Sequence, residues 1–371
     1  MNKNQQAFFH LVRAGQWEKE ARLLPYGEVD YAEILRLAEE QAVMGLVTAG
    51  LKQVADTKVP QVELLQFIGH SLQIEEQNKA MNQFLGMLVE KMRDAGIHPL
   101  LVKGQGIAQC YEKPLWRCSG DIDFLLDDED FEKAKQLLTP LASEVGTESK
   151  YSKHLGMTID AWVVELHGNL RCGKSQRMDA ELDAIKYDSF HRGAVRTWMN
   201  GQTRISMLSE TNDAVFVFAH IVKHFYSGGI GLRQICDWCR LLWVCSGSLD
   251  TQALEARVRR MGMLSEWRAF GAFAVECLGM PAEAMPLYSP DRKWQTKAGR
   301  IYDFIVEVGN FGHNRDMTYY VKYPFLVRKT ISLGRRCSDM MRHARIFPLD
   351  SLRFFSKIIY HGFIAAARGI S

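Results

Sequence analysis

The sequence lacks any long hydrophobic run and any strong excess of one charge. No window of about 18 uncharged apolar residues occurs, so no transmembrane segment is predicted. The N-terminal stretch carries charges throughout and has no apolar core of signal-peptide length. The formal net charge is +3, so bulk charge gives no indication that the protein binds nucleic acid.

Cysteines are present but are not concentrated in one segment. Eight cysteines are scattered through 371 residues, and the chain has no internal repeat or low-complexity segment. This distribution is typical of reduced thiols and predicts a cytoplasmic protein. Cys236 and Cys239 have the C-x-x-C spacing in a predicted helix without a second cysteine pair, which favours two buried thiols over a zinc or redox site.

The hydrophobic pattern divides the chain into three regions. Apolar residues recur at helical spacing over much of the first 96 residues, and again after residue 206. Between these regions, short apolar runs predict strands alternating with helices. The predicted strands are 98–102, 121–126 and 157–167, the last as one strand or two. We therefore predict a helical N-terminal region (1–96), an α/β core (97–205) and a helical C-terminal domain (206–371).

Two aspartates in the predicted core stand one residue apart on a strand. Side chains at i and i+2 of a strand point to the same face, so Asp121 and Asp123 are expected to lie side by side. Such a pair resists joint ionisation unless a cation lies between the carboxylates. Glu165 falls within a later apolar strand, where an acid is costly to bury unless it is paired or binds a metal. The three acids together predict a Mg²⁺ or Mn²⁺ site.

The turn before the aspartate strand has the composition of a phosphate-binding loop. Gly104 and Gly106 allow close approach of the backbone, and a helix N-terminus is predicted just after them. Lys103 and Arg117 could supply positive charge, and Ser119 a hydroxyl, beside the aspartates. In-line attack on a phosphoryl centre held by two metals requires these parts. Taken singly, a D-x-D pair is more often a turn or a solvated edge, and the alternative for the glycines is that they only shape the loop.

The central motif of the chain reads Leu101-Val-Lys-Gly-Gln-Gly-Ile-Ala-Gln-Cys-Tyr-Glu-Lys-Pro-Leu-Trp-Arg-Cys-Ser-Gly-Asp-Ile-Asp-Phe-Leu-Leu. This stretch resembles the uncharacterised nucleotidyltransferase family of the polymerase-beta-like nucleotidyltransferase superfamily. Val164-Glu-Leu-His167 is similar to the strand of that family that carries the third acid. The runs 218–225 and 232–238 are similar to its helical segment. The resemblance implies an α+β fold, with a small mixed β-sheet packed on helices and an added helical domain.

The resemblance also implies a reaction and a role for each residue of the central motif. A nucleoside monophosphate would pass from an NTP such as ATP to an unidentified hydroxyl acceptor, with release of pyrophosphate. Asp121 and Asp123 would bind both metals, and Glu165 would bind the catalytic metal and help to deprotonate the acceptor. Lys103 and Gly104 would hold the triphosphate.

The chain departs from the superfamily pattern at the turn. The superfamily prefers Gly-Gly or Gly-Ser there, whereas this sequence has Gly104-Gln105. The usual contact between a serine and a phosphate is therefore in doubt, and Gln105 or the Gly106 N–H is the expected substitute.

Further polar residues are candidates for contact with the nucleotide or the acceptor. His167 follows Glu165 by two residues and shares its face of the strand. Five more candidates lie in the predicted helical segment, and two of them, His220 and His224, have the i, i+4 spacing that can bind zinc, although no third ligand accompanies this pair. These residues are His220, Lys223, His224, Arg233 and Asp237. The alternative for them is a polar network between helices.

Two other functions remain open from the sequence. A nucleotide-sugar glycosyltransferase also uses D-x-D, but it needs a larger α/β domain before the motif than this chain has. A non-catalytic member of the same fold would bind nucleotide or a partner, although all three acids are present. The basic segment 322–371 is predicted to be an amphipathic helical tail, for which a solvated face is favoured over docking on anionic lipid or a polyanion. The acceptor, the preferred NTP and the oligomeric state are not predicted.

Overall fold

A seven-stranded mixed β-sheet forms the centre of the computed structural model, which describes residues 2–149, 151–310 and 324–355. The strand order is β3-β4-β5-β2-β1-β7-β6. The strands are β1 (Leu100–Val102), β2 (Asp121–Leu125), β3 (Ala142–Val145), β4 (His154–Ile159), β5 (Trp162–His167), β6 (Val195–Asn200) and β7 (Thr203–Leu208). The prediction of a mixed sheet with helical regions on both sides in sequence is confirmed, and the fold class is α+β.

The three central pairings bring the predicted motifs together. Strand β2 pairs with β1 in antiparallel fashion and with β5 in parallel fashion. Strand β1 also pairs in parallel with β7, which extends past the predicted end of the core at residue 205. The outer pairs β3–β4, β4–β5 and β6–β7 are antiparallel. The run predicted as one strand or two is therefore the β4–β5 hairpin.

Helices precede the sheet and run between its strands. Those before β1 are α1 (Lys3–Gln16), α2 (Tyr31–Glu40), α3 (Met44–Lys52) and α4 (Gln61–Asp94). The helical pattern over 30–54 is interrupted between α2 and α3, where Ala42 has a φ of 54°, a conformation that no α-helix continues through. The helices that lie between strands of the sheet in sequence are α5 (Gly104–Ala108), α6 (Asp128–Leu138) and α7 (Gln176–His191).

The helices after the sheet form most of a large apolar core. They are α8 (Glu210–Phe225), α9 (Leu232–Val244), α10 (Thr251–Met261), α11 (Leu264–Glu276), α12 (Arg292–Val308) and α13 (Phe325–Ile346). Of the predicted basic tail, residues 322–323 and 356–371 lie outside the described residues. Among the described helices, none has the length and apolar character that crossing a membrane requires. The three-domain division and the cytoplasmic location stay predictions.

The two faces of the sheet differ in what covers them. Ile122 and Phe124 point to the face packed against α4 and α6, where they join a separate apolar cluster. The alternate residues of β2 point to the other face, where Leu125 belongs to the large helical core. Because side chains alternate along a strand, Asp121 and Asp123 lie on the same face as Leu125. The acidic pair therefore faces the helices of the C-terminal half.

Candidate active site

Strand register brings the three predicted acids onto one face. Asp121 and Asp123 lie on β2, and Asp123 is the direct partner of Glu165 on β5. Carboxylate oxygens of all three residues lie within 4.8 Å of one another. Ile122, between the aspartates, is buried on the opposite face. The arrangement follows from the two-residue period of strands and from the parallel pairing of β2 with β5.

Asp123 is the most buried of the three acids and contacts both a lysine and a histidine. Its side chain is only 1% exposed, and its Oδ1 lies 2.7 Å from Lys103 Nζ and 2.8 Å from His167 Nε2. Lys103 reaches it from a turn in which Lys103 and Gly104 both have positive φ, 60° and 44°. Such backbone is strained for a lysine and persists where the surroundings fix it, commonly at functional sites.

The pKa values of this group reflect burial and mutual attraction. Burial opposes charge on Lys103, but Asp123 and Asp121 outweigh it and raise the lysine pKa. Burial also opposes charge on Asp123, yet Lys103 and His167 lower its pKa below the ordinary value. Burial and the neighbouring Asp123 charge raise the pKa of Asp121. Asp121 is therefore the acid whose charge is least compensated by its neighbours, so it would gain most from a bound cation.

Two histidines flank Glu165. Its Oε2 lies 3.0 Å from His154 Nε2 and 3.4 Å from His167 Nε2. Hydrogen bonds from His154 and His167 hold the pKa of Glu165 far below its usual range. Sequence reasoning missed His154, because only the antiparallel pairing of β4 with β5 brings it opposite His167. The strand predicted from the sequence begins at Met157, so His154 lay outside it and its pairing partner was not indicated.

The opposite side of the site is formed by helices α8 and α9. His220, Lys223 and His224 project from the second half of α8, and Arg233 from the first turn of α9. Burial, reinforced by Lys103, lowers the pKa of Lys223. Burial and the neighbouring Lys223 charge lower the pKa of His224 to about 3. Lys223 and Arg233 together form a basic wall that faces the carboxylates.

A cleft of about 590 Å³ lies between the carboxylates and the basic wall. Most of the predicted site residues line it: Lys103, Gly104, Arg117, Asp121, Asp123, Glu165, His167, His220, Lys223, His224, Arg233 and Asp237. The structure thus brings together elements that are more than a hundred residues apart in sequence. A cleft of this volume can enclose a ligand of nucleotide size.

Arg117 and Asp237 meet in a buried ion pair at one end of the cleft. Arg117 Nη2 lies 2.7 Å from Asp237 Oδ2, and both side chains are almost fully buried. Tyr111 donates its hydroxyl to the same carboxylate at 2.8 Å, and Ser119 Oγ accepts from Arg117 at 3.0 Å. Ser119 is not among the residues lining the cleft. This group joins the loop before β2 to α9, so its side chains are engaged in fixing the walls.

Gln105 and Gly106 lie away from the cleft. Gln105 is 1% exposed and donates to Asn78 Oδ1 of helix α4 at 2.8 Å. A side chain at Gly106 would meet Met207 Sδ of β7 at 2.7 Å, so this glycine serves the close packing of α5 on the sheet. The Gln105 side chain therefore faces α4 and not the cleft, contrary to the expectation that it would replace the serine at the turn.

A second cavity, of about 440 Å³, lies behind the basic wall. It is lined by residues of α1, α3 and the loop 111–118, and it shares Arg117 and Arg233 with the cleft. Its lining is largely apolar and lacks the three clustered carboxylates. We assign the chemistry to the larger cleft for that reason.

The donor atoms in the cleft suit a hard divalent cation. Mg²⁺ prefers oxygen ligands and is usually bound through one or two carboxylates together with phosphate oxygens. Asp121, Asp123 and Glu165 offer this donor set at one end of an open cleft. The residues present therefore fit such an ion.

Comparison with known proteins gives one match. A family model described as an uncharacterised nucleotidyltransferase matches residues 27–279, more than half of the chain. The matched segment contains the three acids, Lys103 and both helices of the basic wall. No curated protein and no solved structure matches the chain.

Proposed function

Since the chain belongs to the uncharacterised nucleotidyltransferase family, we propose that it moves a nucleoside monophosphate from an NTP to a hydroxyl acceptor. The acceptor oxygen would bond to the α-phosphorus as the bond to the pyrophosphate leaving group breaks. The proposal includes membership of the polymerase-beta-like superfamily and use of Mg²⁺ or Mn²⁺. The observation that carries it is the convergence of three acids opposite two cations across one cleft.

The acids would act as the ligands of the divalent ions. When bound, the ions would neutralise phosphate oxygens and favour ionisation of the acceptor hydroxyl. Glu165 is held ionised by the hydrogen bonds of His154 and His167. Contacts from both histidines to Glu165 Oε2 also occupy the oxygen that would accept the proton. We therefore propose Glu165 as a metal ligand and not as the base.

The basic wall would hold the triphosphate. Lys223 carries a positive charge that burial and Lys103 destabilise, and Arg233 has a buried Nε for which the described residues provide no hydrogen-bond partner. Phosphate oxygens would satisfy both groups. On the carboxylate side of the cleft, Gly104 keeps the turn free of a side chain. A Cβ at this position would lie 3.3 Å from the Asp121 carbonyl oxygen and would crowd the turn.

The proposal is tested by binding of NTPs and by release of pyrophosphate. We expect Mg²⁺-dependent binding of at least one NTP, and Asp121→Asn should weaken it by about 100-fold or more, since a metal ligand contributes several kcal/mol. The melting temperature of the variant should be unchanged or higher, because Asp121 has an unfavourably raised pKa. Calorimetry and a pyrophosphate assay with mixed sugars, antibiotics and RNAs as acceptors give the readouts.

Asp94→Asn is the matched control, because Asp94 is an exposed acid at the end of α4. It should leave NTP binding unchanged. Equal Mg²⁺–NTP affinity in Asp121→Asn and the unmodified protein would contradict the assignment. Tight binding of NTP without transfer to any acceptor would favour a non-catalytic nucleotide-binding protein, and transfer from UDP-sugars would favour a glycosyltransferase.

A further inference from the structure

Two histidines and a carboxylate form a second group of ligand atoms at one side of the cleft. His154 on β4 lies directly opposite His167 on β5, and Glu165 lies two residues before His167 on the same face. One ligand atom from each of the three residues lies within 4.8 Å of the others. Both imidazole Nε2 atoms approach the same atom, Glu165 Oε2. The group therefore contains nitrogen donors, which the aspartate pair does not.

The spacing of these atoms matches that required by a small tetrahedral ion. With bonds of about 2.0–2.1 Å, neighbouring ligand atoms around Zn²⁺ lie about 3.3 Å apart. The separations from Glu165 Oε2 are 3.0 Å to His154 Nε2 and 3.4 Å to His167 Nε2. To bind the ion, His167 Nε2 would also give up its 2.8 Å contact with Asp123 Oδ1.

The charge of the surrounding group also favours a divalent cation. Three carboxylates, Asp121, Asp123 and Glu165, are clustered here, and Lys103 is the one lysine in ion-pair contact with any of them among the described residues. With neutral imidazoles, the three carboxylates and Lys103 together carry a net charge of about −2, which is costly in a partly buried site. One divalent ion would balance it.

We propose that His154, Glu165 and His167 bind a transition-metal ion of the Zn²⁺ class. Imidazole nitrogen is a preferred ligand of Zn²⁺ and its neighbours in the first transition row, whereas Mg²⁺ prefers oxygen. Two histidines and one glutamate give three protein ligands, and the cleft leaves a further position open to solvent or substrate, as in catalytic zinc sites. The site is distinct from the Mg²⁺ position proposed above, although Glu165 is common to both.

Cobalt provides a direct probe of this site. After treatment with a chelator, the protein is titrated with Co²⁺ in the absence of nucleotide and phosphate, and visible d–d absorption is recorded. We expect one Co²⁺ to bind per chain with the strong absorption of a four- or five-coordinate ion. Zn²⁺ should displace it, and excess Mg²⁺ should not.

Variants separate the histidine site from the aspartate pair. His154→Gln and His167→Gln should each weaken Co²⁺ binding at least tenfold, since even the loss of an outer-shell partner costs tenfold or more. Asp121→Asn should weaken Co²⁺ binding less than either histidine variant does, because Asp121 contributes charge near the ion but no ligand atom. His98→Gln is the matched control: His98 Nδ1 lies 3.7 Å from Asp130 Oδ2, outside the cleft.

The Co²⁺ measurements can contradict the proposed histidine–glutamate site without contradicting the transferase assignment. Failure of the unmodified protein to bind Co²⁺, or equal affinity in it and in both histidine variants, would show that the histidines only pair with the carboxylates. Loss of Co²⁺ binding in Asp121→Asn alone would locate the ion at the aspartates instead. None of these measurements uses an NTP, so failure of nucleotide transfer would leave them valid.

Discussion

The two walls of the cleft carry opposite charges and differ in how those charges are compensated. On the sheet side, Asp123 is neutralised directly by Lys103 and His167. On the helical side, no acid of the described residues lies within ion-pair distance of Lys223 or Arg233, and burial lowers the pKa of both. Compensation on the sheet wall is thus confined to Asp123 and Glu165, whereas neither cation of the basic wall has an acid partner among the described residues.

This difference indicates what each wall can gain from a ligand. An uncompensated cationic wall is stabilised by an anion, and a wall of three acids with one ammonium is stabilised by a cation. A metal–triphosphate complex supplies both charges together. The predictions below alter one wall at a time, in order of decreasing effect.

Removing the ammonium from the sheet wall should have the largest effect. Lys103→Met would leave Asp123, which is 1% exposed, without its lysine partner. Breaking a buried pair by removing one member costs about 3–5 kcal/mol. We expect a loss of that order in the free energy of unfolding, measured with urea in the absence of metal. Added Mg²⁺ should raise the melting temperature of the variant more than that of the unmodified protein, because the ion replaces the missing charge.

An exposed lysine–acid pair of the same length provides the control. Lys133 Nζ lies 2.7 Å from Glu129 Oε1 on the surface of α6. Lys133→Met should cost less than about 1 kcal/mol, the usual contribution of an exposed pair. Similar losses for the two lysine variants would mean that the sheet wall does not depend on Lys103 for its compensation.

The sheet wall could be predicted from the sequence because its geometry is mostly local. The two-residue period of strands aligns Asp121 with Asp123, and the apolar run around Glu165 indicates a strand. The pairing of β2 with β5 was beyond a local pattern, and the resemblance supplied only the role of Glu165 as the third acid. His154 could not be assigned, because its neighbours depend on the register of the β4–β5 hairpin.

The basic wall was predictable only in part. The i, i+4 spacing on α8 placed His220 and His224 together, and their rings are 4.3 Å apart between centroids. Gln105 was misleading, because its side chain turns toward Asn78 on α4 rather than toward the cleft. Whether a side chain beside a tight turn faces a ligand or a neighbouring helix is decided by tertiary packing, which sequence spacing does not record.

Neutralising the basic wall should weaken nucleotide binding without destabilising the protein. Lys223→Gln removes a cation whose pKa is lowered first by burial and then by Lys103, so the melting temperature should be unchanged or raised. A hydrogen bond from a charged group contributes about 1.5–3 kcal/mol, so Mg²⁺–NTP affinity should fall by about tenfold or more. Calorimetry measures both the affinity and its metal dependence.

Lys91→Gln, an exposed change on α4, is the control for Lys223 and should leave NTP affinity unchanged. Equal affinity in Lys223→Gln and the unmodified protein would remove the basic wall from the proposed triphosphate site. A lower melting temperature in Lys223→Gln would show instead that Lys223 is compensated in the folded protein.

The smallest expected effect is a dependence of stability on pH that originates near the basic wall. Burial, reinforced by the Lys223 charge, lowers the pKa of Lys174 to about 8, from an ordinary value of 10.5. Between these values the folded protein has lost the proton while the unfolded chain keeps it, so this lysine makes the free energy of unfolding rise with pH. After allowance for solvent screening, we expect a contribution on the order of 1 kcal/mol.

The measurement is the change in unfolding free energy between about pH 7 and about pH 10, compared with that of Lys174→Gln. The variant should lack this increment, and an identical change in both proteins would show that Lys174 keeps its ordinary pKa and that the cations beside the cleft do not repel one another.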